Sequence, residues 1–173
     1  LDSEQIVGNA IRQNRVVDST TLIPERSTIM LKVSCCEKNR WSPAVANELL
    51  ISDSLYFSKG RINNSRDIYT QQKTDQFKIW EDISDKLEEF GSKSFTGSVE
   101  DIYKKRRNNV EEIVASFYPG LKDVGVAIAI GSRLISIDIF SSNEIFKVYL
   151  PRLIRSVALD SYSSTFRRFY IDF

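Results

Sequence analysis

Histidine is absent from the chain. That gap removes imidazole general acid–base catalysis, Ser-His and Cys-His nucleophile pairs, and zinc sites that depend on imidazole ligands. Cysteine is nearly absent too. The two that occur, Cys35 and Cys36, are adjacent, and one peptide unit holds neighbouring side chains in poor geometry for a disulfide. The composition therefore predicts a reducing, cytoplasmic setting. No apolar run approaches the ~20 residues that a bilayer-spanning helix needs, and no signal-peptide pattern opens the chain, so no membrane partner is expected. An excess of one charge is missing as well. The 24 Lys and Arg against 23 Asp and Glu leave a formal charge of +1, which gives no global pull toward nucleic acid. Neither a Walker-type nor a dinucleotide-type glycine loop occurs. The acids Asp53, Asp67, Asp75, Glu81, Asp82 and Asp85 are scattered without a calcium-loop or paired-carboxylate spacing, so no metal site is expected.

What remains is an ordinary globular composition, 42% apolar and 27% charged. A chain of 173 residues buries roughly 70% of its unfolded surface, so no cofactor or staple is needed to hold it. We expect a single domain over residues 1–173. The first residue, Leu1, already stands inside patterned sequence, which suggests that a segment precedes it.

Two β-type runs, residues 16–23 and 28–35, flank Pro24-Glu25-Arg26. In the second run Ile29, Leu31, Val33 and Cys35 alternate with Lys32 and Ser34, the pattern of a half-buried strand. It places Cys35 on the apolar face as a structural thiol and Cys36 on the other as the oxidation site. Folded back as an antiparallel hairpin with a loop of two to four residues, the runs set Arg15 opposite or diagonal to Cys35, and Gln13 near Glu37. Further on, Leu49-Leu50-Ile51 and Leu55-Tyr56-Phe57 read as short strands, and residues 58–74 as a polar, mobile loop. Apolar spacing predicts a helix over residues 75–90 with the stripe Phe77, Trp80, Ile83, Leu87 and Phe90, capped by Thr74 and stopped by Gly91. A second helix is predicted over residues 99–117, capped by Ser98. A hairpin follows over 124–130 and 134–140 around Gly131, then a helix that Pro151 kinks or restarts. The tail from Phe166 to Phe173 reads as a last strand or a docked extension. Strands first and helices later favour α+β with an antiparallel or mixed sheet and about three helices.

The hairpin end would gather the polar clusters Gln13-Asn14-Arg15 and Glu37-Lys38-Asn39-Arg40-Trp41. Arg15 and Arg40 are the leading functional candidates, because guanidinium groups donate paired hydrogen bonds to phosphate or carboxylate oxygens. The alternative is that each pairs with an acid such as Glu4 or Glu37. Trp41 either stacks on a nucleobase or plugs a core. Glu4 and Glu37 are the candidates for hydroxyl contacts or water activation. A carboxylate beside two arginines is a weak base, however, which counts against Glu37 in that role.

The blocks Glu4-Gln5-Ile6-Val7-Gly8, Gln13-Asn14-Arg15-Val16-Val17, Leu22-Ile23-Pro24 and Val33-Ser34-Cys35-Cys36-Glu37-Lys38-Asn39-Arg40-Trp41-Ser42 resemble those of the ADP-ribosylglycohydrolase- and rhodanese-phosphatase-associated protein domain family. Thr74-Asp75-Gln76 ahead of Trp80 and Ile83 is similar to that family's Ser-Asp-Gln segment heading a helix, and Asp138-Ile139-Phe140 also looks alike. Cys36 and Asn39 depart from the residues usual there, and neither change removes a charged group.

The family is named for its genomic company with enzymes of ADP-ribose and NAD-derived metabolism. The resemblance thus implies a small-molecule, nucleotide-like ligand. Arg15 and Arg40 would hold phosphate, Trp41 would stack, and Glu4 and Glu37 would meet hydroxyls or water. Gln13, Asn14 and Gln76 would orient the ligand. The competing expectation is a non-catalytic structural or interaction module in which the same cluster is an internal latch. Whether the protein is an enzyme, and whether it forms a homo-oligomer, stay open at this point.

Overall fold

In the first half of the chain the β-branched and apolar residues fall into four short strands, β1 (Glu4–Gly8), β2 (Arg15–Val17), β3 (Val33–Cys35) and β4 (Leu49–Leu55). All pair antiparallel in the order β3-β2-β1-β4. The computed structural model describes residues 1–8, 13–39 and 49–162. They group into two compact units, Leu1–Ile102 and Tyr103–Phe173. The architecture is α+β, with two antiparallel sheets and four helices among the described residues.

The ribbon β2–β3 has the expected register, Arg15 opposite Cys35 and Val17 opposite Val33. Its ladder is far shorter than the sequence suggested. Past the Asp18 N–H to Lys32 carbonyl bond at 3.1 Å, residues 19–32 form no strand. A turn closes the tip, where Ser27 N–H donates to the Pro24 carbonyl and Arg26 takes a φ of 55°. Leu22 and Met30 stand almost fully exposed, so among the described residues no apolar neighbour rewards extending the ladder. The phase of β3 is also opposite to the prediction. Ser34 is buried and Val33 is exposed, because Ser34 pairs with the fully buried Val16. The cysteines invert accordingly: Cys36 is buried and Cys35 half-buried.

β4 is one strand rather than two, with two extra residues bulged between the pairs Glu4–Leu55 and Ile6–Ile51. Gln5 fills the bulge, its amide donating to the Ser54 and Leu55 carbonyls at 3.2 and 3.1 Å. The buried run Leu55-Tyr56-Phe57 then delivers the chain into a helix where a loop was expected, α1 (Ser58–Gln71). This helix has no apolar stripe, and its buried residues are Ser58, Gly60, Asn64 and Asp67. Those small and polar side chains permit close packing. A Cβ at Gly60 would lie 2.3 Å from Tyr56 Cε1 and 2.9 Å from Phe57 Cζ. Polar ties replace apolar ones, with Lys78 Nζ donating to Asp67 at 2.8 Å and Asn63 to Asp82 at 3.1 Å.

Those ties reach α2 (Gln76–Glu89), which Asp75 caps in place of Thr74 by accepting from the Phe77 and Lys78 N–H groups. Its buried face is rotated from the predicted stripe. Ile79, Ile83 and Lys86 point inward and Phe77 is exposed. Lys86 is tolerated there because its ammonium lies 5.6 Å from the Phe57 ring centroid, 5.3 Å from that of Phe90, and 3.1 Å from Glu89. Gly91, at a φ of 54°, ends the helix as anticipated.

Helix α3 (Glu100–Val114) starts with Ser98 Oγ accepting from the Glu100 N–H at 3.3 Å. In the second unit, β5 (Gly125–Ile130) and β6 (Arg133–Ile139) form a hairpin through Gly131 at a φ of 59°. Ser142 caps α4 (Asn143–Ser161), a single helix that continues through Pro151. Phe146, Leu150 and Ile154 of α4 pack with Ile113, Val114, Val126, Ile128 and Phe140. Arg155 binds Glu111 through two hydrogen bonds of 2.6 and 2.9 Å. They hold the Glu111 carboxyl below its ordinary range against a smaller opposing effect of burial. Residues 166–173, the expected last strand or extension, lie outside the described residues.

Candidate functional site

The end of the β2–β3 ribbon is where the first polar cluster meets Glu37. Pairing continues one step beyond the strands, Cys36 N–H donating to the Asn14 carbonyl at 2.9 Å. That step brings Gln13 and Asn14 beside Glu37. Gln13 Nε2 donates to the Glu37 carbonyl at 2.9 Å, and the Asn14 backbone N–H donates to Glu37 Oε2 at 2.7 Å.

Glu37 is fully buried. Its other oxygen, Oε1, accepts from the Thr96 hydroxyl at 3.0 Å. Asn14 Nδ2 reaches Ser98 Oγ at 3.3 Å, and Glu37 and Ser98 form an isolated bridge. The segment ahead of α3 is thereby tied to the ribbon through Asn39 N–H to the Thr96 carbonyl. Both carboxylate oxygens of Glu37 are spent on protein donors, which is how a buried charge avoids its desolvation cost.

Arg15 is half-buried. Its Nη1 donates to the Gln13 carbonyl at 3.2 Å and to Gln13 Oε1 at 3.3 Å. Among the described residues its Nε and Nη2 have no acceptor. Those two atoms form the side-on edge of a guanidinium, the edge that grips two oxygens of a phosphate or carboxylate at once. Gln76, by contrast, is wholly engaged. Its Oε1 accepts from Cys35 N–H at 2.8 Å and its Nε2 donates to the Cys35 carbonyl at 2.6 Å. The side chain thus stands in for a missing neighbour on the open edge of β3.

Glu4 lies on β1 opposite Leu55, buried, with Oε1 4.0 Å from the Leu1 amino group. Arg40 and Trp41 lie outside the described residues. The structure therefore assembles Gln13, Asn14, Arg15 and Glu37, and holds Gln76 against the ribbon's outer edge. Sequence reasoning missed Thr96 as the second donor to Glu37. The polar run Ser94-Phe95-Thr96-Gly97-Ser98 was the available signal, read only as a helix cap.

Cys36 sits directly beside this cluster. Burial first, then the Glu37 and Glu100 carboxylates, push its thiol well above the ordinary cysteine range, so it is protonated and inert. Among the described residues no group of three or more Cys, Asp or Glu could hold a metal ion, and no helix is long and apolar enough to cross a membrane.

No match is found among the curated proteins or the solved structures. The family comparison matches residues 1–168 to the ARG and Rhodanese-Phosphatase-superfamily-associated Protein domain. The description gives ARG where the motif resemblance suggested ADP-ribosylglycohydrolase, and the match spans nearly the whole chain. The chain belongs to the ARG and Rhodanese-Phosphatase-superfamily-associated Protein domain family.

Proposed function

We propose that the Arg15 end of the ribbon is an anion receptor for a phosphorylated, nucleotide-like metabolite of the ADP-ribose type. One observation carries the reading: Gln13 fixes Nη1 of Arg15 through two neutral oxygens, while the Nε–Nη2 edge lacks an acceptor among the described residues. A guanidinium held by neutral partners keeps its charge and loses little entropy on binding. Arg40 and Trp41, which follow Asn39 in the chain, remain in the proposal as a second phosphate contact and a stacking platform on sequence grounds. In this reading Glu37 is the support that orders Asn14 and Gln13, rather than a base or a ligand contact, and Gln76 supports β3.

A second reading has its own observation. Glu37 is fully buried with both oxygens filled, as an internal latch in a structural or protein-interaction module requires. Thermal unfolding with ADP-ribose, NAD, AMP and inorganic phosphate separates the two. Under the first reading at least one ligand raises the melting temperature, and Arg15→Ala abolishes that rise while the protein stays folded; Arg40→Ala weakens it. Under the second, no ligand moves the transition.

A further inference from the structure

The opposite end of the same ribbon carries a second polar cluster. Asp18 follows the last paired residue of β2, and its N–H donates to the Lys32 carbonyl. Strand alternation puts Asp18 on the face of Val16, and Val16 pairs with Ser34, so Asp18 and Ser34 are diagonal neighbours on one face. Ser34 Oγ is 2.8 Å from Thr74 Oγ1, just ahead of α2. From α1 comes Asn64, 4% exposed, whose side chain, like those of Ser34 and Thr74, hydrogen-bonds the Asp18 carboxyl.

Four oxygen-bearing side chains thus converge from β2, β3, α1 and the α1–α2 connection. Their hydrogen bonding does not balance. Asp18 Oδ1 and Asn64 Oδ1 are both buried and have no donor, and the Ser34–Thr74 bond already uses one of the two hydroxyl protons. Burial pushes the Asp18 carboxyl above its ordinary value, against side-chain hydrogen bonds from Ser34, Asn64 and Thr74 and the Lys32 ammonium, none of which serves Oδ1. A buried water would supply two protons to the stranded acceptors but would add no charge to offset the cost of burying the carboxylate. A cation answers both needs.

We propose that Asp18, Ser34, Asn64 and Thr74 form a binding site for a small monovalent cation of the sodium class. A carboxylate, an amide oxygen and two hydroxyls are hard oxygen ligands, and a single carboxylate with Lys32 nearby matches one positive charge better than two. The ion joins the root of the exposed 19–32 arm to α1 and α2. This site is separate from the Arg15 receptor and does not rest on it.

The test is thermal unfolding of the full chain in sodium chloride and in tetramethylammonium chloride at equal ionic strength, with the sodium NMR linewidth as a direct readout. Sodium is expected to raise the transition by a few degrees, saturably, and the sodium line to broaden in the presence of the protein. Asp18→Asn keeps the shape, removes the charge and should erase both effects. Thr74→Val, which removes one hydroxyl at nearly constant volume, should weaken sodium binding several-fold. Identical transitions in the two salts with no broadening would mean that a water or a proton occupies the cluster, and would overturn the proposal. So would a saturable shift produced by calcium and not by sodium.

Discussion

Two carboxyl groups stand at opposite ends of one short ribbon, and they are treated in opposite ways. Glu37, past the end of β3, is sealed from solvent, with one oxygen on a backbone N–H and the other on a hydroxyl. Asp18, past the end of β2, has a buried oxygen with no donor at all. The first arrangement finishes inside the protein and leaves nothing for a ligand to do. The second does not finish, and an unfinished buried acceptor is where a bound species contributes most. The contrast teaches that the residues with the more suggestive chemistry in the sequence are not those the fold leaves open.

The largest effect should come from breaking the finished end. Glu37→Ala removes the acceptor of the buried Asn14 N–H and of the half-buried Thr96 hydroxyl and should destabilise by about 3 kcal/mol, since a hydrogen bond to a charged group contributes about 1.5–3 kcal/mol and a buried donor left unsatisfied costs about 1–3 kcal/mol. Denaturant unfolding measures it. A loss within experimental error of zero would remove Glu37 from its supporting role.

The other end can be perturbed without touching a polar atom. Gly60 lies one turn before Asn64 on α1, and a methyl group there meets Tyr56 and Phe57 below contact distance. Gly60→Ala should therefore cost about 1–3 kcal/mol through overpacking. By shifting α1 it should also reduce the sodium dependence of the transition. Unchanged sodium dependence alongside the lost stability would separate Asn64 from Asp18.

A smaller effect, in pH, sharpens the comparison by its sign. Asp18 is raised in the folded protein. Its contribution is therefore fully present below its unfolded value of about 3.8 and is lost as pH rises through the folded value. Glu111 is lowered by Arg155, so its contribution is present above its unfolded value and is lost as pH falls through the folded one. Relative to wild type, Asp18→Asn should gain stability as pH rises across the acidic range, and Glu111→Gln should lose it. Unfolding curves at a series of pH values in sodium-free buffer read both.

Part of this was legible in the residues. The symmetry of the two runs about Pro24-Glu25-Arg26 is enough to set Arg15 against Cys35 and Gln13 beside Glu37, because antiparallel pairing fixes every later register once a turn is placed. The α2 and α4 helices and the β5–β6 hairpin were visible from apolar period and Gly131. Helix α1 was hidden because its inward face is Gly60, Asn64 and Asp67, which leave no hydrophobic rhythm to detect. The phase of β3 was misjudged because Val33 and Leu31, though apolar, lie on the more exposed face, while Ser34 is buried and bonded to Thr74. Asp18, Ser34, Asn64 and Thr74 come from four separate places in the chain, and no spacing rule connects them.

The central claim is that Glu37 is a completed structural group and Asp18 an incomplete binding one. Its most direct test is the unfolding of two isosteric variants side by side, Glu37→Gln and Asp18→Asn, in sodium-free buffer near neutral pH. Glu37→Gln turns an acceptor into a donor facing Asn14 N–H or Thr96, and Asp18→Asn removes a half-buried charge whose Oδ1 has no donor. The account predicts opposite signs, a clear drop in the melting temperature for Glu37→Gln and none, or a rise, for Asp18→Asn. A drop of similar size in both variants would contradict it.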